Sequence, residues 1–178
     1  LSGFKIQNSG RNGIFIEDSD HVKISGNNVT GSVLEGIYIE DSDYNTIEDN
    51  NGYAIQNGHI ISGNTIRNNQ AGSNNLITGS SVSEFTDNII EENESNRLLY
   101  LTNLDSLVMS GNEIKTNATR TQLIEITGSS LNISNNVIDE NEKVSVYNGG
   151  SAIKITDTDG NSAIENNQIT QHSGYENG

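Results

Sequence analysis

The sequence predicts an all-β chain: a right-handed, single-stranded parallel β-helix, wound as a solenoid of about 24 residues per turn with three short strands in each turn. Three observations predict it. An asparagine between apolar neighbours recurs every 24 residues, apolar residues come in pairs at period two, and no window keeps an apolar stripe at helical spacing.

The recurring asparagine comes first. Ile61-Ser-Gly-Asn64-Thr-Ile66, Phe85-Thr-Asp-Asn88-Ile-Ile90, Met109-Ser-Gly-Asn112-Glu-Ile114 and Ile133-Ser-Asn-Asn136-Val-Ile138 share one phrase. The same phrase is read at Ile24-Ser-Gly-Asn27-Asn-Val29 and at Ile164-Glu-Asn-Asn167-Gln-Ile169. A fixed period of this size marks stacked repeats, each burying its apolar face only against its neighbours. The chain holds 28 asparagines. Asparagine tolerates the left-handed backbone of a tight corner, and the glycine before it at Gly26, Gly63 or Gly111 relieves crowding. Stacked at roughly 4.8 Å, their amides are expected to form an internal hydrogen-bonded ladder, a structural role.

The strands follow from the apolar pairs. Ile14-Phe-Ile16, Ile37-Tyr-Ile39, Leu99-Tyr-Leu101, Ile124-Glu-Ile126 and Ile153-Lys-Ile155 make a first set. Val22-Lys-Ile24, Leu107-Val-Met109 and Leu131-Asn-Ile133 make a second, and Val29, Ile66, Ile90, Ile114, Ile138 and Ile169 a third. Short alternation rich in β-branched residues reads as strand. Leucine-rich repeats need leucine where this chain has isoleucine. Two places break the period: Asn27 to Asn64 is too long, which places an insertion at Tyr53-Ala-Ile-Gln-Asn-Gly-His59, and a bulge is expected near Glu142 to Gly150.

Composition narrows the function. The 178 residues read as one β-helix domain spanning 1–178, and an apolar fraction of 31% suits a fold whose strands are half solvated. A net charge of −15 repels nucleic acid and anionic membrane surfaces. No apolar run is long enough for a membrane-spanning helix, and the chain has no cysteine. It opens in mid-repeat at Leu1-Ser-Gly-Phe4 and ends in a polar stretch with no visible cap, so a fragment of a longer protein is expected.

Outward residues of one sheet line up in rows, one per turn. On the first sheet the row is Phe15, Tyr38, Tyr100, Glu125 and Lys154. Aromatic rings there offer a platform for sugar rings, with the charged pair orienting hydroxyls; a row that only stabilises neighbouring turns looks the same. Glu17 and Glu40, each followed by an aspartate (Asp18, Asp41), fall at equivalent sites on adjacent turns. Carboxyls about 5 Å apart match a retaining glycosidase, and diagonal pairs approach the inverting spacing. A copied solvated turn, Glu-Asp-Ser-Asp, explains the same residues. Asp18-Ser-Asp20, Asp41-Ser-Asp43 and Asp157-Thr-Asp159 have the oxygen density for Ca²⁺, without a known calcium-loop pattern. Arg11, Arg97 and Arg120 each shortly precede a first-sheet strand and are expected to share one edge, pairing with a uronate carboxylate or with surface acids. His21, His59 and His172 fall at unlike positions and form no metal set. Sequons at Asn28, Asn93, Asn117 and Asn132 are expected by chance from composition.

Through the I-x-G-N-x-I … G-I-x-I phrase, seen in Ile24 to Val29 leading to Gly36-Ile-Tyr-Ile39, the chain resembles the pectin-lyase-like superfamily of right-handed β-helices. That group includes mannuronan C5-epimerases, polysaccharide lyases, phage tailspikes and NosD-type repeats. The resemblance implies a secreted, envelope or virion-surface protein that meets long glycans such as alginate. It implies a uronate lyase, a C5-epimerase or a glycoside hydrolase but identifies no catalytic residue. A lyase or epimerase needs a cation and a base, which favours the arginine edge with Tyr38, Tyr100 or His59, and a hydrolase needs two of Glu17, Asp18, Glu40 and Asp41. The alternative is a non-catalytic tailspike or adhesin stalk, as a homotrimer. The epimerases' Asp-Pro-His-Glu string is missing, since the chain has no proline, and Asn57-Gly-His59 only echoes the polygalacturonase motif.

Overall fold

The computed structural model describes residues 1–30, 36–40, 45–52, 55–57, 60–71, 75–80, 82–143, 153–157, 159–170 and 173–174. Among them the chain is a parallel β-solenoid, all strands and turns with no helix. Among the described residues every strand pair is parallel and joins one turn to the next, as coiling in one direction requires.

Sheet 1 stacks seven strands, from Ile14–Glu17 through Leu99–Leu104 and Ile124–Gly128 to Ile153–Asp157. Sheet 2 stacks five, from Ile60–Ser62 through Leu107–Ser110 and Leu131–Ser134 to Ala163–Glu165. Sheet 3 stacks seven, from Lys23–Ser25 through Glu113–Lys115 to Gln168–Thr170. The three expected stretches are thus present. A fourth and shorter face, sheet 4, follows sheet 3, with strands such as Asn28–Thr30, Glu94–Ser95 and Ala118–Thr119.

The core is a set of apolar ladders. Along sheet 3, Ile24, Ile47, Ile66, Ile90, Ile114, Ile138 and Ile169 pair in register. Ile61, Phe85, Met109 and Ile133 do the same on sheet 2 and are buried. Each fully buried side chain of this size contributes roughly 1.5–3 kcal/mol. Toward the last turn the interior opens, and Ile164 and Ile169 are half exposed. Outside, sheet 3 carries charges of alternating sign at Arg67, Glu91, Lys115 and Asp139. The Lys115 ammonium is held above its usual pKa chiefly by its hydrogen bond to Glu113.

The asparagines form two ladders rather than one. Asn45, Asn64, Asn88, Asn112, Asn136 and Asn167 make the first, between sheets 2 and 3 in the complete turns. Asn27, Asn50, Asn69, Asn93, Asn117 and Asn141 make the second, between sheets 3 and 4. In both, a backbone N–H and usually the amide Nδ2 donate to the Oδ1 of the next turn's asparagine, as from Asn88 to Asn112 at 3.0 and 2.9 Å. Nδ2 also donates to a carbonyl of the turn below, such as Phe85 O at 2.7 Å from Asn112. A buried amide with its donors and acceptor filled locks the register of successive corners.

Several expectations need correction. Asn27 does not stand over Asn64 but belongs to the second ladder, so Val22–Ile24 lies with sheet 3 and Val29 with sheet 4. The first-ladder position of that turn is Val22, whose N–H donates to Asn45 Oδ1 at 2.8 Å. The supposed insertion at 53–59 is in its described part a turn strand, Ile55–Asn57, paired with Ile37 and Ile77; that turn is short, with ladder partners 19 residues apart. Finally, the left-handed residue of each corner is the one before the asparagine, not the asparagine. It is Gly26, Gly63 or Gly111, but also Asp87, Glu92, Thr116 and Asn135, all with φ between 52° and 67°. The extra length near Glu142 to Gly150 is visible as spacing: partners are 24 residues apart at Asn117–Asn141 and 29 at Glu125–Lys154. Residues 144–150 themselves lie outside the described residues.

Candidate functional site

The register of sheet 1 aligns Phe15, Tyr38, Gln56, Thr78, Tyr100, Glu125 and Lys154 in a single row, one position per turn. The five residues expected there are all in it. Gln56 and Thr78 were not anticipated, and they divide the row into an aromatic end and a charged end.

At the aromatic end, Phe15 and Tyr38 stack with ring centroids 5.4 Å apart and planes 21° from parallel. Phe15 stays 52% exposed, so the pair leaves an apolar patch in water on an otherwise polar face. Glu17 and Glu40 directly follow these strands' apolar pairs and are paired in register, which fixes their backbones at strand spacing of about 4.8 Å. Glu17 is exposed. Asp18 takes a left-handed turn conformation, φ 48°, and Ser19 Oγ donates to Glu17 O at 2.9 Å, so Asp18 and Asp20 belong to an exposed corner. Asp41, Asp43 and His59 lie outside the described residues.

At the charged end, Arg97 lies over the Tyr100 ring, 4.7 Å from its centroid, so one face of that ring holds a guanidinium. Glu125 takes two cations: Lys154 Nζ donates to Oε1 at 3.0 Å, and Arg97 Nε lies 3.1 Å from Oε2. The Arg97 Nε–H is aimed at Gln122 Oε1, also at 3.1 Å, so Arg97 and Glu125 attract as charges without sharing that hydrogen bond. The Glu125 side chain is only 13% exposed, against 53% for Lys154. Gln122 was missed by sequence reading, although it sits two residues before its strand as Arg97 does before Leu99.

The arginines do not share an edge. Arg97 serves sheet 1, while Arg120 stands at the sheet 4 corner, where its Nη2 pairs with Glu94 at 3.3 Å. Arg11 is exposed ahead of the sheet 1 strand Ile14–Glu17. The acidic turns read as calcium candidates have other uses where they are described. Asp159 accepts from the N–H groups of Asn161 (3.0 Å) and Ser130 (3.2 Å), which lower its pKa to about 2. Asp157 accepts from Asp159 N and Ser162 N, both at 3.2 Å. Among the described residues no three His, Cys, Asp or Glu side chains converge as metal ligands, and no helix is long and apolar enough to cross a membrane. Two sequon asparagines, Asn93 and Asn117, are buried in the second ladder, whereas Asn28 and Asn132 are exposed.

A family model described as the right-handed beta helix region matches residues 1–169. No curated protein and no solved structure matches the chain.

Proposed function

The chain belongs to the right-handed β-helix family, and from that premise we propose that its sheet 1 face binds an extended polysaccharide outside the cell or on an envelope or virion surface. The observation that carries the reading is the single in-register row, which sets a stacked aromatic pair with Phe15 exposed and a fixed polar cluster along one face. A glycan lying along the solenoid axis would meet the Phe15–Tyr38 patch with its C–H faces, and Gln122, Glu125 and Lys154 with its hydroxyls.

If the face is also catalytic, Glu17 and Glu40 are the pair we assign to it. Their register sets the two backbones one strand spacing apart, near the separation at which a retaining hydrolase holds a carboxylate that attacks the anomeric carbon and a carboxylic acid that protonates the leaving oxygen. Elimination or C5 epimerisation needs a free cation against the substrate carboxylate, and Arg97 and Lys154 already face Glu125.

The test is a panel of alginate, pectate and neutral polysaccharides, scored for binding and for new reducing ends or unsaturated products. Binding that weakens in Phe15→Ala and Tyr100→Ala supports the proposal. Turnover abolished by Glu40→Gln supports hydrolysis, and turnover unchanged by it removes Glu40 from the chemistry. A tight trimer in sedimentation, with sheet 1 covered and no glycan bound, would overturn the proposal in favour of a stalk.

A further inference from the structure

We infer that the glycan this face takes is neutral and hydroxyl-rich rather than a polyuronate; the inference rests on the binding reading above and narrows it. It comes from how the cations of the row are used. A polyuronate site must offer positive charge that is free to meet one carboxylate per sugar. At the charged end of sheet 1 the row and its flank carry Arg97 and Lys154 as cations, with Glu125 between them, while Arg11 stands exposed before Ile14–Glu17 at the other end, where Glu17 and Glu40 are the acids. Both cations converge on Glu125.

That commitment is hard to undo. The Glu125 side chain is mostly buried, and its Oε2 has no hydrogen bond, so the nearby guanidinium is what offsets its desolvation. Drawing Arg97 or Lys154 away to a substrate carboxylate would leave Glu125 charged and poorly solvated. Arg97 is further held by Gln122 and by the Tyr100 ring. The field of a chain with net charge −15 adds a long-range repulsion against any polyanion. A neutral sugar meets none of these costs. Its hydroxyls can donate to carboxylate oxygens and accept from Lys154, whose ammonium has further protons to offer, while Phe15 and Tyr38 take its apolar face.

The measurement is calorimetric binding of cellohexaose and mannohexaose against oligogalacturonate and oligoalginate of equal length, at low and moderate salt, with the full chain. Neutral oligomers are expected to bind at least about tenfold more tightly at low salt, with the gap narrowing as salt screens the repulsion. Polyuronates bound as tightly as neutral oligomers, or more tightly, overturn this inference while leaving the binding reading intact. No binding of either class overturns the binding reading itself. Glu125→Gln, checked for an unchanged melting temperature, frees Lys154 and removes the charge opposite Arg97, and is expected to raise oligouronate affinity severalfold. A well-folded Glu125→Gln chain with no such gain overturns the argument that the cations are committed.

Discussion

The first two turns and the central turns of the solenoid differ in the strands they carry but share their inner polar spines. In the first turn Ile14–Glu17 on sheet 1 leads directly to Lys23–Ser25 on sheet 3. In a central turn Leu99–Leu104 leads to Leu107–Ser110 on sheet 2 before Glu113–Lys115 on sheet 3. Among the described residues sheet 2 begins only at Ile60–Ser62. Both asparagine ladders nevertheless start below that point, at Asn27 and Asn45, and run on without a break. A whole face can therefore be added or left out provided the corners keep their amides. The repeat is conserved within the molecule at its corners, and its sides are adjustable.

Four measurements would break or sharpen this comparison. The largest effect is expected for Asn112→Ala in the central stack, which removes three donated bonds and the acceptor for Asn88. Unmet buried groups cost about 1–3 kcal/mol apiece, so a loss of about 3–5 kcal/mol is expected in urea unfolding. Asn27→Ala, at the edge of its ladder, should cost about half as much. Equal losses would mean the spine does not hold the full turns more firmly than the first ones.

Next comes Gly128→Ala, at the corner between sheets 1 and 2 that only complete turns possess. A Cβ there would sit 2.6 Å from Leu104 Cβ and 2.7 Å from Leu104 O, so a destabilisation of about 1–3 kcal/mol is expected. A third, smaller effect exchanges corner chemistry between the regions. Gly26 and Thr116 occupy equivalent left-handed positions on the second ladder, at φ 60° and 52°. Thr116→Gly should stabilise by about 0.5–1 kcal/mol, the left-handed penalty less the added chain entropy. Gly26→Ala, with open space around a new Cβ, should lose about 1 kcal/mol through φ alone.

The smallest effect concerns acid. Asp159 joins the last described turns, and its folded pKa of about 2 lies below its ordinary value of 3.8. A depressed carboxylate contributes stability that is fully present above pH 4 and is lost as pH falls toward 2. Asp159→Asn should therefore flatten the fall in melting temperature between pH 4 and 2. An unchanged slope would remove Asp159 from the account of the C-terminal turns.

Much of this was legible in the sequence. Period, strand type and the sheet 1 row follow from alternating apolar pairs, because an outward residue is defined by its two inward neighbours. Thr78 escaped because its turn reads Ile77-Thr-Gly79, where Val82 fills the space the glycine leaves. Gln56 escaped because a short turn looked like an insertion. The second ladder was hidden for a packing reason. After Asn69, Asn93 and Asn117 the inward positions are Ala71, Ser95 and Thr119, small residues in a narrow corner rather than the isoleucine that marks the first ladder. Ile24-Ser-Gly-Asn27 is spelled like the first-ladder phrase yet stands at the second corner, and spelling alone cannot separate corners built to the same geometry. The partnership of Arg97, Gln122 and Glu125 depends on which side chains reach across turns, and periodicity carries no such information.

From Asn64 to Asn136 on the first ladder, each amide donates in the same sense, from one turn's Nδ2 to the following turn's Oδ1. Cutting the stack between any two 24-residue turns from Asn64 to Asn136 exposes matching half-bonds, so a duplicated or excised turn would rejoin a junction chemically the same as the one it replaced. The reach of such a molecule is a counted number of turns, changed in steps of about 4.8 Å.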